Sequence, residues 1–310
     1  MYTLVITLLI ICCIGIPLNG IVIWLLGFQI KRNPFTVLIL NLAIADYGLL
    51  SFLAIYCICH FIPLVLTSFN YSVVSTFFGI TNWLIHIMYI NSIFLLTAIS
   101  IDRCVCVLFP IWHRCSRPKR LSSAICAFFW ISSFLLEVIP NILNYLTVYG
   151  FSFRLSLIVT SILCLPLITA STVILFIKIC LKPKQMKRRR LLVMILITLL
   201  CFLIFNLPLN IYGFYDSYFQ SLDLNLFIIL GASLNSSVNP IIYYLVGRKK
   251  RAQTRQSIKV VFQRVFREDE PPESPENATE FQPLCKSIIL TCLQCWMSLG
   301  CKNVFLDTKI

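Results

Sequence analysis

The chain has 310 residues, of which 59% are hydrophobic and 12% are charged, and its mean hydropathy is +0.88. Soluble domains of ordinary composition carry about twice that share of charged residues, so the composition excludes a soluble domain of this size and predicts one polytopic membrane protein. The formal net charge of +14 shows that the few charged residues are mostly basic.

Seven apolar runs are long enough to cross about 30 Å of hydrocarbon, which takes about 20 helical residues. At these lengths only helices can span a bilayer, because each backbone polar group must find its partner within the segment. The chain is therefore predicted to be all-α, with a seven-transmembrane helix bundle. The runs lie near residues 3–27, 36–62, 76–109, 121–141, 154–180, 191–215 and 224–246.

The basic residues are concentrated in alternate loops. The loops after the first, third, fifth and seventh runs, counted with Arg103 and Lys178 at the ends of the third and fifth runs, contain two, five, seven and eight Lys or Arg, or 22 of the 26 in the chain. The opposite loops contain only Arg154. The positive-inside rule then places the N-terminus outside and the C-terminus in the cytoplasm. This charge predicts contact with anionic membrane lipids and acidic cytosolic partners. No nucleic-acid partner is expected, because the basic runs follow membrane ends and not one soluble face.

The first two runs carry polar residues within the membrane. Asn19 stands in an otherwise aliphatic helix, where a lone amide usually hydrogen-bonds to a neighbouring helix. The second run contains NLAIAD, and Asp46 at its end lies about 15 Å from the inner membrane edge at 1.5 Å per residue. Because a charged group inside a bilayer is costly, such a carboxylate predicts a functional site with polar partners.

Three further patterns occur in the third, sixth and seventh runs. The third ends in Asp102-Arg103 and continues into PIWHRCSRPK; taken alone, an acid and a base at a membrane edge usually have no function. The sixth contains FLIFNLPLN, in which Pro208 removes a backbone hydrogen bond and kinks the helix. The seventh ends with NSSVNPIIYYLVG, which contains a second proline, Pro240.

In combination, the acid of the second run, Asp102-Arg103 and the NPIIY segment resemble the rhodopsin-like G protein-coupled receptors. Cys104 and the PIWHRCSRPK segment resemble the Mas and Mas-related branch of that family. The resemblance implies a plasma-membrane receptor, not an enzyme, that binds an extracellular peptide or small-molecule ligand and activates heterotrimeric G proteins. Arrestin is a further candidate partner on the same grounds.

The resemblance also implies an ion site. By position, the Asp46 carboxylate faces oxygen-bearing side chains of the third and seventh helices, which suit a small hard cation, and the family holds Na⁺ at such a cluster. A hydrogen-bond network with water is the alternative interpretation. The residues assigned to this sodium-type cluster are Asp46, Ser92, Asn235, Ser236 and Asn239. No other metal or cofactor is expected.

An activation switch is implied in the inner half of the bundle. The residues assigned to it are Asp102, Arg103, Asn206, Pro208, Pro240 and Tyr243, and those assigned to G-protein coupling are Arg103, Pro110 and Ile111. Asn206 stands where rhodopsin-like receptors usually have Trp. Arg188 stands where many have an acid that latches Arg103, and since two like charges repel, we expect a resting state that is weakly held.

The outer face offers acids but no disulfide. Glu137, Asp216 and Asp223 are the candidate ligand-pocket residues, and their charge would suit a cationic peptide or amine. Phe78 occupies the position at which the resemblance places the Cys of an outer disulfide. Asn70 begins an Asn-Tyr-Ser sequence in an outer loop and is the candidate glycosylation site.

Three parts of the chain are predicted: a receptor domain at 1–247, a basic amphipathic helix on the inner leaflet at 248–267, and a mostly disordered cytoplasmic tail at 268–310. The apolar residues that recur at helical spacing in the second part are Ile258, Val261, Phe262, Val265 and Phe266. Two other functions are weighed: a receptor that folds without signalling, and a transporter. A transporter would show repeated halves with broken helices, and the sequence has no such symmetry.

Overall fold

The computed structural model describes residues 2–61, 71–109, 118, 120–146, 155–181, 189–216, 222–247 and 258–266. Every regular element in these ranges is helical, which confirms the predicted all-α fold. Seven long helices coincide with the seven apolar runs, and a short eighth follows them. They are α1 (Tyr2–Trp24, continued by a π-helical turn at Leu25–Gln29), α2 (Pro34–Phe61), α3 (Tyr71–Leu108), α4 (Leu121–Leu146), α5 (Leu155–Val159, a π-helical turn at Thr160–Cys164, and Leu165–Leu181), α6 (Arg189–Asp216), α7 (Leu222–Gly247) and α8 (Ile258–Phe266).

Five of the described helices are long and apolar enough to cross a membrane by length and composition. These spans are Thr3–Gln29, Pro34–Cys59, Val73–Leu108, Leu121–Leu143 and Thr160–Ile179. In α6 the apolar section is the shorter Leu191–Asn206. Lipid-facing positions remain apolar: Ile6, Ile10 and Ile14, spaced four residues apart on one face of α1, are all more than half exposed.

Local sequence explains where several helices begin or change their winding. Asn33 and Thr36 cap the start of α2 reciprocally, because each side-chain oxygen accepts a hydrogen bond from the other residue's backbone N–H, at 2.7 and 2.8 Å. Pro34 follows at the first helical position, where its missing N–H costs nothing. In α5 the π-helical turn ends two residues before Pro166, which has no N–H to donate to a regular α-helical hydrogen-bond ladder.

The helices close into a bundle with α3 near its centre. Along the ring, α1 packs against α2 and α7, α7 against α6, and α6 against α5. α3 packs against α2, α4, α5 and α6, and two thirds of its apolar span is buried, against about one sixth for α4. The polar positions of α3 are therefore the ones best placed to link several helices.

α8 lies within the stretch 248–267 for which an amphipathic helix was predicted, and residues 248–257 are outside the described part. Val261, Phe262 and Phe266 are buried, whereas Ile258 is 44% exposed, so the buried face is narrower than the sequence pattern indicated. This face packs against α7, α6 and the π-helical turn that ends α1. The tail predicted at 268–310 lies outside the described residues.

Because Gly15 has no side chain, α1 packs closely against α2 and α7 at this position. A β-carbon at Gly15 of α1 would overlap the Ser237 hydroxyl of α7 and lie 2.6 Å from Leu50 Cδ1 of α2. We expect Gly15→Val to destabilise the fold by about 1–3 kcal/mol through overpacking, which thermal unfolding in detergent measures. Gly79→Val is the matched control, because an added β-carbon there meets no atom within 4 Å. An equal loss of stability in both variants would contradict this packing.

Candidate functional site

The Asp46 carboxylate lies at the junction of α2, α3 and α7 and is fully buried. Ser92 of α3 donates a hydrogen bond to Asp46 Oδ1 at 2.7 Å, and Ser236 of α7 donates to the same oxygen at 2.8 Å. Asn239 Nδ2 donates to Asp46 Oδ2, also at 2.8 Å. Both carboxylate oxygens of Asp46 thus accept hydrogen bonds, and side chains from α2, α3 and α7 come together at this carboxylate.

A second amide extends this junction to α1. Asn19 Nδ2 donates to the Ser236 backbone oxygen and to the Gly15 backbone oxygen, both at 3.0 Å. The first of these bonds joins α1 to α7 next to the Ser236 hydroxyl that binds Asp46. The expectation from sequence that Asn19 bonds to another helix agrees with this contact.

The side chains around Asp46 offer oxygen atoms to a hard cation. Within the described ranges, Asn235 Oδ1 and Asn239 Oδ1 are buried and accept no hydrogen bond. The Asp46 carboxylate, the Ser92 hydroxyl and the amide oxygen of Asn239, a residue that contacts Asp46 through its Nδ2, are oxygen atoms of the kind that alkali and alkaline-earth ions prefer. Of the five residues predicted for the cluster, Asn235 is the one that makes no described hydrogen bond to Asp46. The residues present fit Na⁺.

Near the C-terminal end of α3, Asp102 and Arg103 form an ion pair. Arg103 Nε donates to Asp102 Oδ2 at 3.0 Å, and Arg103 Nη2 donates to the same oxygen. The Arg103 side chain is fully buried, and its Nη1 has no hydrogen-bond partner among the described residues. Its guanidinium carbon lies 4.0 Å from the centre of the Phe35 ring of α2, a cation–π contact.

Asn206 of α6 is bonded to α3 by a residue that sequence reasoning missed. Tyr89 OH donates to Asn206 Oδ1 at 3.3 Å, and Asn206 is buried. Tyr89 lies one helical turn before Ser92 and therefore on the same face of α3. The three-residue spacing between Tyr89 and Ser92 could have identified Tyr89 from the sequence, since the face of α3 that carries Ser92 was already predicted to point into the bundle.

Tyr243, near the C-terminal end of α7, makes an aromatic contact with α8, at the end of the bundle that also holds Arg103 and is the predicted inner end. Its ring and the Phe266 ring of α8 are 5.8 Å apart in a T-shaped arrangement, and its hydroxyl is buried without a described hydrogen-bond partner. Tyr243 follows Asn239 by one helical turn. The same stretch of α7 therefore serves the Asp46 junction and the inner aromatic contact.

The candidate ligand acids are only partly described. Glu137 is half-buried in α4, and its side-chain Oε1 lies 3.5 Å from Asn141 Nδ2. Asp216 and Asp223 fall at the ends of α6 and α7, but their side chains lie outside the described part, as does the side chain of Pro208 within α6. The other predicted site residues outside the described ranges are Asn70, Pro110, Ile111 and Arg188.

An aromatic contact joins α2 to the N-terminal part of α3, which is the predicted outer end. The rings of Phe78 and Tyr56 are 5.3 Å apart in a T-shaped arrangement. The cysteines whose side chains the structure describes are free thiols: Cys12, Cys13, Cys57, Cys59, Cys104, Cys106, Cys126, Cys164 and Cys201. Phe78 thus packs where the resemblance places a disulfide.

Comparison with known proteins agrees with this geometry. Residues 18–243 match the family model of the seven-transmembrane receptors of the rhodopsin family. The chain is 34% identical over 283 residues to proto-oncogene Mas of Rattus norvegicus, covering 85% of this chain and 83% of that protein. It is 35% identical over 287 residues to Mas-related G-protein coupled receptor member H of Mus musculus, with 88% and 86% covered. It is 34% identical over 286 residues to member D of Macaca fascicularis, with 86% of each chain covered.

Proposed function

Because the chain belongs to the rhodopsin family of seven-transmembrane receptors, and within it to the Mas-related receptors, we propose that it couples an outer ligand site to Arg103 at its inner face. It is a multi-pass plasma-membrane receptor and not an enzyme, and its family implies an extracellular ligand and a heterotrimeric G protein as partners. The observation that carries the proposal is the ion pair between Asp102 and the fully buried Arg103, near the C-terminal end of α3.

In the proposed resting state, Asp102 keeps Arg103 inside the bundle. A charge-assisted hydrogen bond of this kind contributes about 1.5–3 kcal/mol. Movement of α6, with Pro208 as its flexible point, would open the inner face and let Arg103 reach the G protein. The contact between Tyr89 and Asn206 supports this proposal, because it gives α6 a polar attachment to α3 that must change when α6 moves.

The Asp46 junction is proposed to set the balance between the two states. Na⁺ would be held by the Asp46 carboxylate, the Ser92 hydroxyl and the free amide oxygens of Asn235 and Asn239. A bound ion supplies positive charge opposite a buried carboxylate. The protein itself holds α2, α3 and α7 in one arrangement, through the hydrogen bonds that Asp46 accepts from Ser92, Ser236 and Asn239.

The ligand is proposed to be a cationic peptide or a small amine, because Glu137, Asp216 and Asp223 are acids near the outer halves of their helices. The N-terminus is proposed to be outside and the C-terminus cytoplasmic, on the strength of the 22 basic residues at alternate ends. The same inner face would serve arrestin. The competing proposal, a receptor that folds without signalling, is distinguished by the next experiment.

We expect ligand-independent G-protein activation in cells that express the receptor, because Arg188 replaces an acid that would latch Arg103. Arg103→Ala should lower this signal to that of empty cells, whereas Arg120→Ala, which removes an exposed arginine at the start of α4, should leave it unchanged. Arg188→Glu should lower the signal by restoring the latch. G-protein activation at matched surface expression is the measurement.

Two results would contradict this account of the latch. One is a basal signal of the parent receptor equal to that of empty cells at confirmed surface expression. The other is a higher signal in Arg188→Glu than in the parent.

We expect Na⁺ to raise the thermal unfolding midpoint of the parent receptor relative to a buffer with a large organic cation. At a Na⁺ concentration ten times the dissociation constant, the stabilisation is about 1.4 kcal/mol. Asp46→Asn should remove this difference, because the amide lacks the charge that binds the ion. Ser100→Ala should keep it, since that buried hydroxyl donates to the Thr97 carbonyl of its own helix. A sodium effect that persists in Asp46→Asn would refute the site.

A further inference from the structure

The apolar face of α8 is covered by protein. Phe262 and Phe266 are 3% and 2% exposed, whereas Val260, on the other side of the same helix, is 45% exposed. Both phenylalanines belong to the large buried cluster that also contains Leu25, Phe35 and Tyr243. An amphipathic helix that rested only on lipid would leave these rings outside the bundle core.

The rings of α8 reach the surface that holds Arg103. Phe266 lies 6.3 Å from Phe35 and 5.8 Å from Tyr243, measured between ring centroids. The guanidinium carbon of Arg103 lies 4.0 Å from the centre of the Phe35 ring. Phe35 is therefore shared between Arg103 and the end of α8, so a change in the position of α8 alters the surroundings of that arginine.

Polar contacts fix both ends of α8 to the bundle. Asn33 Nδ2, just before α2, donates to the Phe266 backbone oxygen at 3.1 Å. Lys259 Nζ donates to Gln29 Oε1 at the end of the π-helical turn, at 2.7 Å. Because α8 also packs on α6 and α7, the helix contacts elements that must separate at the inner face when α6 moves outward.

We propose that residues 258–266 are an intramolecular cover of the inner opening: α8 docks on the surface formed by Phe35 and Tyr243 and must leave it before a G protein can reach Arg103. This inference rests on the proposed G-protein coupling and adds to it a competitor within the same chain. The segment that occupies the surface formed by Phe35 and Tyr243 is α8 of the same chain. The cover supplements the Asp102 contact, which holds Arg103 from within its own helix.

A matched pair of alanine variants tests the regulatory effect in the full-length receptor. Phe266→Ala removes the ring that contacts Phe35 and Tyr243, and Val260→Ala removes an exposed side chain of the same helix. Ligand-independent recruitment of a soluble G-protein α-subunit surrogate is measured in membranes at equal surface expression. We expect a several-fold rise for Phe266→Ala and no change for Val260→Ala. Recruitment by Phe266→Ala equal to or below that of Val260→Ala would overturn the proposal.

Thiol labelling tests the docking without any G protein. Phe262→Cys and Val260→Cys receptors are treated with a water-soluble maleimide in open membrane fragments, and labelling above that of the parent receptor is followed in time. We expect Val260→Cys to react several-fold faster than Phe262→Cys. Equal rates would overturn the docking of α8 whatever the signalling result. If the rates differ as expected and no variant recruits the G-protein surrogate, the docking stands and the proposed coupling fails.

Discussion

The buried carboxylate of Asp46 is the constraint on which the arrangement of the helices depends. A charged group at this depth costs about 2.5–3.5 kcal/mol on insertion scales, and each hydrogen bond to a charged group contributes about 1.5–3 kcal/mol. The bonds from Ser92, Ser236 and Asn239 therefore offset the cost, but only while α2, α3 and α7 keep their present rotation and height. In a bilayer, where apolar faces pack almost equally well in many rotations, such a junction selects one of them.

The inner aromatic contact depends on the same helix. Tyr243 lies one turn beyond Asn239 on α7, so a rotation of α7 that loosened Asn239 from Asp46 would also move the Tyr243 ring away from Phe266. Because Phe35 contacts both Phe266 and the Arg103 guanidinium, this movement would change the surroundings of Arg103. The Asp46 junction and Arg103 are thus linked through α7 and the packed rings of Tyr243, Phe266 and Phe35.

The sequence was sufficient to predict the number, type and approximate ends of the helices, because hydropathy and backbone bonding in lipid leave few alternatives. It was less informative about which face of each helix points inward. Ile10 of α1 faces outward and Leu8 faces inward, yet both are aliphatic. The partners of Asp46 came from the resemblance to a known family. Helical spacing from Ser92 could place Tyr89 on the inward face of α3, but no local pattern predicts that its partner is Asn206 or that Phe266 contacts Phe35, because these pairs are far apart in the chain.

The most direct test of the Asp46 junction is an exchange of the acid and the amide across α2 and α7. Asn239→Asp places two carboxylates against each other at a position where the present contact is 2.8 Å, so it should lower the thermal unfolding midpoint strongly. Adding Asp46→Asn to that variant restores one acid and one amide to the pair, and the midpoint should recover most of the loss, with a coupling of about 0.5–3 kcal/mol between the two positions. A double variant no more stable than Asn239→Asp alone would contradict the account.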